Sequence, residues 1–208
     1  MPLGTPAMFL ADAKGLDFLN SVATPIDVPV DWIGDGRGLV DWLKQSGLVP
    51  EAQLEEIVAR AMPGELDRVA DQARDLREWF RGFVKRHMGR PLGEDALDAL
   101  APVNRLLERD ETYRRIVMRD GGVALEAARR WRSPESLLLP IGEAIAETVV
   151  SEDFAQVKAC QGHDCSLIFA DHTRSRARRW CSMSVCGNRA KVTAHRARQR
   201  DAASDAAG

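Results

Sequence analysis

The chain has 208 residues, 45% of them hydrophobic, and a formal net charge of −2, enough to bury a core and fitting one domain or a domain with a small appendage. No apolar run approaches the ~20 residues of a membrane span, since LLLPIGEAIAETVV is broken by Glu143 and Glu147, and MPLGTPAMFLADAKG lacks the basic start and apolar core of a secretory signal. A soluble cytoplasmic protein is the expectation. The small net charge conceals a division: residues 158–200 hold ten Lys and Arg against two Asp, a net +8, while residues 1–157 hold nineteen against twenty-seven acidic groups, a net −8. An acidic body with a basic end points to a polyanion as the partner of the basic part.

In chain order, DWLKQSGLVPEAQLEEIVARAM carries two short helical patterns split at Gly47 to Pro50, the second placing Leu54, Ile57, Val58 and Ala61 on one face. ELDRVADQARDLREWFRGFVKRHM continues as one long amphipathic helix with Leu66, Val69, Ala73, Leu76, Phe80 and Phe83 or Val84 inward. GRPLG breaks it, and EDALDALAPVNRLLER resumes a helical pattern around Pro102. Asp120-Gly121-Gly122, between Ile116-Val117 and Val123 and Leu125, predicts a β-hairpin. Ser133-Pro134-Glu135 opens a further helix through Leu137, Leu138, Ile141, Ile145 and Val149, with Pro140 kinking it or delaying its start. Composition turns Cys- and Arg-rich after Ser151 to Phe154. The expected fold is mostly α (α+β): a helical domain with a small hairpin over 1–154, a small four-cysteine module with a carboxy-terminal helix over 155–200, and a disordered tail over 201–208.

All four cysteines lie in the basic end as Cys160-x4-Cys165 and Cys181-x4-Cys186, fifteen residues apart. Two close pairs joined by an arm are what a tetrahedral four-thiolate zinc site needs, although x4 is looser than the most diagnostic x2. Two disulfides would require an oxidising compartment, and free thiols are the other alternative. His163 and His172 have ligand-like positions, but the symmetry of the pairs favours sulfur throughout. Such a closed site is structural, one zinc supplying on the order of 10 kcal/mol of folding energy to a segment with few large apolar residues. SLIFAD reads as a short strand, and SVCGNRAKVTAHRARQR as a helix from near Ser184 that turns Cys186, Ala190, Thr193 and Ala197 inward. Arg189, Arg196 and Arg200 then line one flank and Lys191, His195 and Arg198 the other, joined by Arg174, Arg176, Arg178 and Arg179 from the arm. Guanidinium forks suit phosphate oxygens, and a helix among them fits a major groove, so DNA is the expected partner. Trp180 either stacks on a base or packs locally.

These residues carry a resemblance. RRWCSMSVCGNRAKVTAHR, with the upstream F-x-D, resembles the CGNR zinc finger, whose name is spelled by Cys186-Gly187-Asn188-Arg189. LDFLNS (Leu16 to Ser21), GLVDWLKQSGL (Gly38 to Leu48), ARDLRE (Ala73 to Glu78) and Asn104-Arg105-Leu106-Leu107 are similar to the ABATE domain that accompanies that finger. The resemblance implies Cys160, Cys165, Cys181 and Cys186 as zinc ligands and a role in bacterial, stress-induced transcription regulation.

A regulator needs a sensor, so Asp17, Asn20, Arg77 and Asn104 are candidate residues of a small-molecule effector pocket, against the plainer reading of turn caps and buried polar partners. The acidic body could also dock on the basic end and shield it. A protein-interaction module gripping an acidic partner is the alternative to DNA binding. RNA binding is weakened by the shortage of aromatics near the arginines, and a homo-oligomer is compatible with all three. No open metal position, nucleophile elbow or phosphate loop is present to suggest an enzyme.

Overall fold

The computed structural model describes residues 6–26, 28–193 and 199. About half of the chain is helical, and among the described residues the strands form three separate two-stranded antiparallel sheets. A short helix, α1 (Lys14–Leu19), leads into the hairpin β1 (Val22–Ile26) and β2 (Val28–Asp31). Helices α2 (Gly36–Ser46), α3 (Glu51–Arg60) and α4 (Glu65–His87) follow, then α5 (Asp95–Ala99) and α6 (Ala101–Leu107). The hairpin β3 (Thr112–Arg119) and β4 (Gly122–Arg129) precedes a 3-10 turn (Pro134–Leu137) and α7 (Leu138–Ser151), and β5 (Val157–Ala159) pairs with β6 (Ile168–Ala170).

Local chemistry explains most boundaries. The Asp35 carboxylate caps α2 by accepting from Gly38 N at 2.7 Å, and Gly47 ends that helix at φ +65. Helix α4 keeps its expected stripe, with Val69, Ala73, Phe80, Phe83 and Val84 buried. Asp120 and Gly121 both take positive φ, +53 and +78, which is the two-residue turn that the hairpin twist demands. Pro140 delays α7 rather than kinking it: a 3-10 turn occupies the first four residues, and Pro140 falls in the first turn of the α-helix, where its missing N–H costs nothing.

Helix α1 is the centre of the molecule, packed on α7 and α4 with Leu16, Phe18 and Leu19 fully buried. Its Gly15 is required by the approach of α7: a Cβ there would lie 2.6 Å from Thr148 Oγ1 and 2.8 Å from the Ala144 carbonyl, while Gly15 N donates to that hydroxyl at 2.9 Å. The sequence reading missed α1, β1, β2 and β5.

The basic end is not self-contained, which corrects the expectation of a module folded by metal alone. Phe154, Val157, Leu167, Ile168, Phe169 and Ala170 belong to the same apolar core as α1 and α4, with Phe154 edge-on to Phe83 at 5.8 Å. Ala170 N donates to Ala11 O at 2.9 Å, so the amino-terminal segment lies against β6. Among the described residues no helix is long and apolar enough to cross a membrane.

Candidate metal centre

The first cysteine pair sits at the tip of the β5–β6 hairpin. Cys160 follows β5 and donates its N–H to Leu167 O at 2.9 Å, and Asp164, at φ +59, turns the loop back to Cys165. The second pair is carried in by the arm, whose Arg179 carbonyl accepts from Gln161 N at 2.9 Å. After Cys181, the Ser182 hydroxyl accepts from Ser184 N at 3.1 Å and caps a single π-helical turn (Met183–Gly187) that holds Cys186, with α-helical residues continuing over 188–193. Gly162 permits the two limbs to close: a Cβ there would lie 2.8 Å from Cys186 Sγ.

The four Sγ atoms all lie within 4.8 Å of one another. Cys165 and Cys181 are 4.0 Å apart and Cys181 and Cys186 3.6 Å. A disulfide needs about 2.05 Å, whereas the edge of a tetrahedron with 2.3 Å zinc–sulfur bonds is about 3.8 Å. Backbone N–H groups of Gly162 (3.4 Å) and Cys181 (3.2 Å) point at Cys160 Sγ, and Arg189 Nη2 at Cys186 Sγ (3.3 Å), as suits thiolates rather than thiols. So crowded, the sulfurs cannot all ionise alone. The hydrogen bond from Cys181 pushes Cys165 down to about 5, while Cys181 is pushed well above its ordinary range by that bond and by burial. A dication at the centre removes the conflict, and the donor set of four sulfurs is the set that zinc prefers. His163 and His172 stay outside this cluster, His172 Nε2 instead pairing with Glu152 Oε2 at 2.6 Å.

Asp171, fully buried at the end of β6, organises the arm. Its carboxylate accepts from Lys158 Nζ (2.7 Å), Arg178 N (2.9 Å), Thr173 N (3.0 Å) and Thr173 Oγ1 (2.6 Å). Burial alone would raise this carboxyl, but those donors hold it far below the usual carboxylate range. The sequence signal for it was the F-x-D element, Phe169 to Asp171.

The expected nucleic-acid contacts divide. Arg174 and Lys191 are exposed and have no partner among the described residues. Arg176 is exposed, although its guanidinium reaches the Asp171 carbonyl, and Arg179 is exposed over the Trp180 ring at 4.9 Å with Gln161 Oε1 at 2.7 Å. Arg189 is half-buried beside the cluster. Arg178 is a correction. Its guanidinium lies over Phe169 at 4.2 Å, donates to Leu10 O (2.8 Å), Trp180 O (3.0 Å) and the Cys181 carbonyl, and pairs with Asp12, so no edge remains for phosphate. Thr193 is exposed rather than inward, and Arg196, Arg198, Arg200, His195, Ala197 and the 201–208 tail lie outside the described residues.

Three of the four candidate pocket residues are engaged in holding the fold together, and the fourth is exposed. Asn20 is buried and clamps β6, donating Nδ2 to Ile168 O (2.7 Å) and accepting from Ile168 N (3.0 Å). Buried Arg77 forks onto Asp31 with two bonds of 2.8 Å and reaches Ser21 Oγ at 3.1 Å. Asp17 accepts from Ala11 N at 3.0 Å, and burial pushes its carboxyl up to about 6. Asn104 is exposed on α6. A cleft of about 490 Å3 lined by Tyr113, Arg129, Trp131 and Glu143 opens at the base of the β3–β4 hairpin.

Comparison with known families agrees with this geometry. Residues 12–152 match the ABATE family, whose description is "Putative stress-induced transcription regulator", and residues 156–199 match the CGNR zinc finger. Neither description is enzymatic. No curated protein matches the chain. The finger's four cysteines are positioned to bind a single structural zinc ion, and the chain belongs to the ABATE family, with a CGNR zinc finger at its carboxy-terminal end.

Proposed function

We propose that this protein is a DNA-binding transcription regulator of the bacterial cytoplasm, where thiols stay reduced and metal-competent. Its finger contacts duplex phosphates through Arg174, Arg176, Arg179, Arg189 and Lys191, continued by Arg196 and Arg198. The observation that carries this reading is the exposure of basic groups on both sides of one sulfur cluster. Cys160, Cys165, Cys181 and Cys186 fix the arm and the start of the helix relative to each other, so the cations are presented as a set rather than as a loose tail. The net charge of −8 in the first 157 residues keeps the polyanion on the finger. A sensing role for the amino-terminal part is assigned, in this reading, to the cleft beside Tyr113 and Trp131.

The test is binding of the zinc-loaded chain to labelled duplex across a salt series. Four to six phosphate contacts give a slope of log K against log salt of about −4 to −5. No binding to any duplex at low salt rejects the reading in favour of an acidic protein partner.

A further inference from the structure

The β3–β4 hairpin is the part of the molecule that its own fold leaves unfinished. Among the described residues its strands pair only with each other, leaving both edges open, and neither packs extensively on another element. Cross-strand neighbours Ile116 with Leu125 and Met118 with Val123 fall on one face. There they are 75%, 57%, 71% and 74% exposed respectively. The opposite face carries Arg115 and Arg119, which share Glu126 (3.2 and 3.3 Å), so its charged groups are already engaged within the hairpin. An isolated two-stranded ribbon is marginal in water, and four large apolar side chains in one exposed patch call for a cover.

We propose that this hairpin is a dimerisation arm: the apolar faces of two copies pack together about a two-fold axis running across the strands at the level of Val117 and Ala124. Charge complementarity selects a second copy as the occupant. Arg114 shares the apolar face at the base of the hairpin and Asp120 stands at its tip, each three residues from Val117 and so about 10 Å along the strand. Neither has a charged partner among the described residues. The two-fold brings Arg114 of each copy to the level of Asp120 of the other, so one operation covers the apolar patch and pairs both charges. Each of the four side chains exposes on the order of 100 Å2. Two copies with their flanking residues therefore bury about 1,000 Å2 in all, the lower limit for a specific interface. Association of micromolar strength is expected, without requiring the DNA reading.

Sedimentation equilibrium on the zinc-loaded full chain, without DNA, tests this from about 1 to 300 µM. The expected result is a mass rising from one chain toward two. Ile116→Glu with Val123→Glu, at positions too exposed to support the fold, stays at one chain throughout, with a melting midpoint unchanged at concentrations where the wild type is also a single chain. Arg114→Glu weakens association about tenfold at low salt, and adding Asp120→Lys in the same chain restores most of it. A wild-type chain monomeric over the whole range, or a double-Glu variant that associates as the wild type does, overturns the proposal. An unchanged dissociation constant in Arg114→Glu overturns the antiparallel arrangement.

Discussion

Replacing Asn20 by Ala removes one side chain and leaves two backbone groups without partners. The Ile168 carbonyl loses its 2.7 Å donor and the Ile168 N–H its 3.0 Å acceptor, in a site where both residues are buried and water does not reach. An unpaired buried polar group costs about 1–3 kcal/mol, so the expected loss is about 3 kcal/mol, partly offset because the amide itself no longer has to be desolvated. At 2–4 °C per kcal/mol for a chain of this size, the melting midpoint falls by about 6–12 °C. Urea unfolding of the zinc-loaded protein, followed by far-UV circular dichroism, measures the free energy. Val150→Ala, at an 87% exposed position, serves as the control and stays within about 0.5 kcal/mol. Amide exchange at Ile168 supplies the local readout and accelerates more than exchange at Phe80. A loss below about 1 kcal/mol, or unchanged protection at Ile168, refutes the claim that Asn20 clamps the finger strand to the body.

Gly15→Ala costs about 1–3 kcal/mol by pushing α1 off α7, read from the same urea titration; a neutral effect contradicts the 2.6 Å approach to Thr148 Oγ1. Asp17 gives a pH dependence. Its folded carboxyl is raised to about 6 from about 3.9 when unfolded, so its contribution is fully present below about pH 4 and is lost as pH rises through 6. Asp17→Asn accordingly gains up to about 3 kcal/mol at pH 7.5 and nothing at pH 4, and an equal effect at both values contradicts the buried carboxyl. Chelation under reducing conditions is expected to speed amide exchange across 172–193 while Val157–Ala159 and Ile168–Ala170 stay protected, because those strands rest on the body's core. Full protection at Cys181 to Gly187 after metal removal rules out a structural ion.

The sequence was most legible where a single residue type leaves few choices. Asp120-Gly121 dictates its turn, the stripe of α4 follows from its spacing, and four cysteines in two pairs have little to do but converge. It was least legible where a side chain's partner is remote. Nothing near Arg178 distinguishes it from Arg176 or Arg179, yet it alone meets Phe169 and the Leu10 carbonyl. Asn20 reads as a turn cap, although its partner is 148 residues away. VATPIDVPVD hid its hairpin behind two prolines and a register shift between Ala23 and Ile26, which break the alternation that marks strands. The three-residue strand β5 is too short to show any period, and its stability comes from the core beneath it.

The seam between α1 and β6 also sets an order of events during synthesis. Ala11 and Asn20 leave the ribosome early, while their partners Ala170 and Ile168 are about 150 residues behind. At 5–20 residues per second, that is a wait of roughly 8–30 s. During it, α1 gains its apolar contacts with α4 and then α7 as those helices emerge, but not the strand that pairs with Ala11 and Asn20. The nascent chain thus cannot complete the seam on its amino-terminal helix until the cysteine-bearing half arrives.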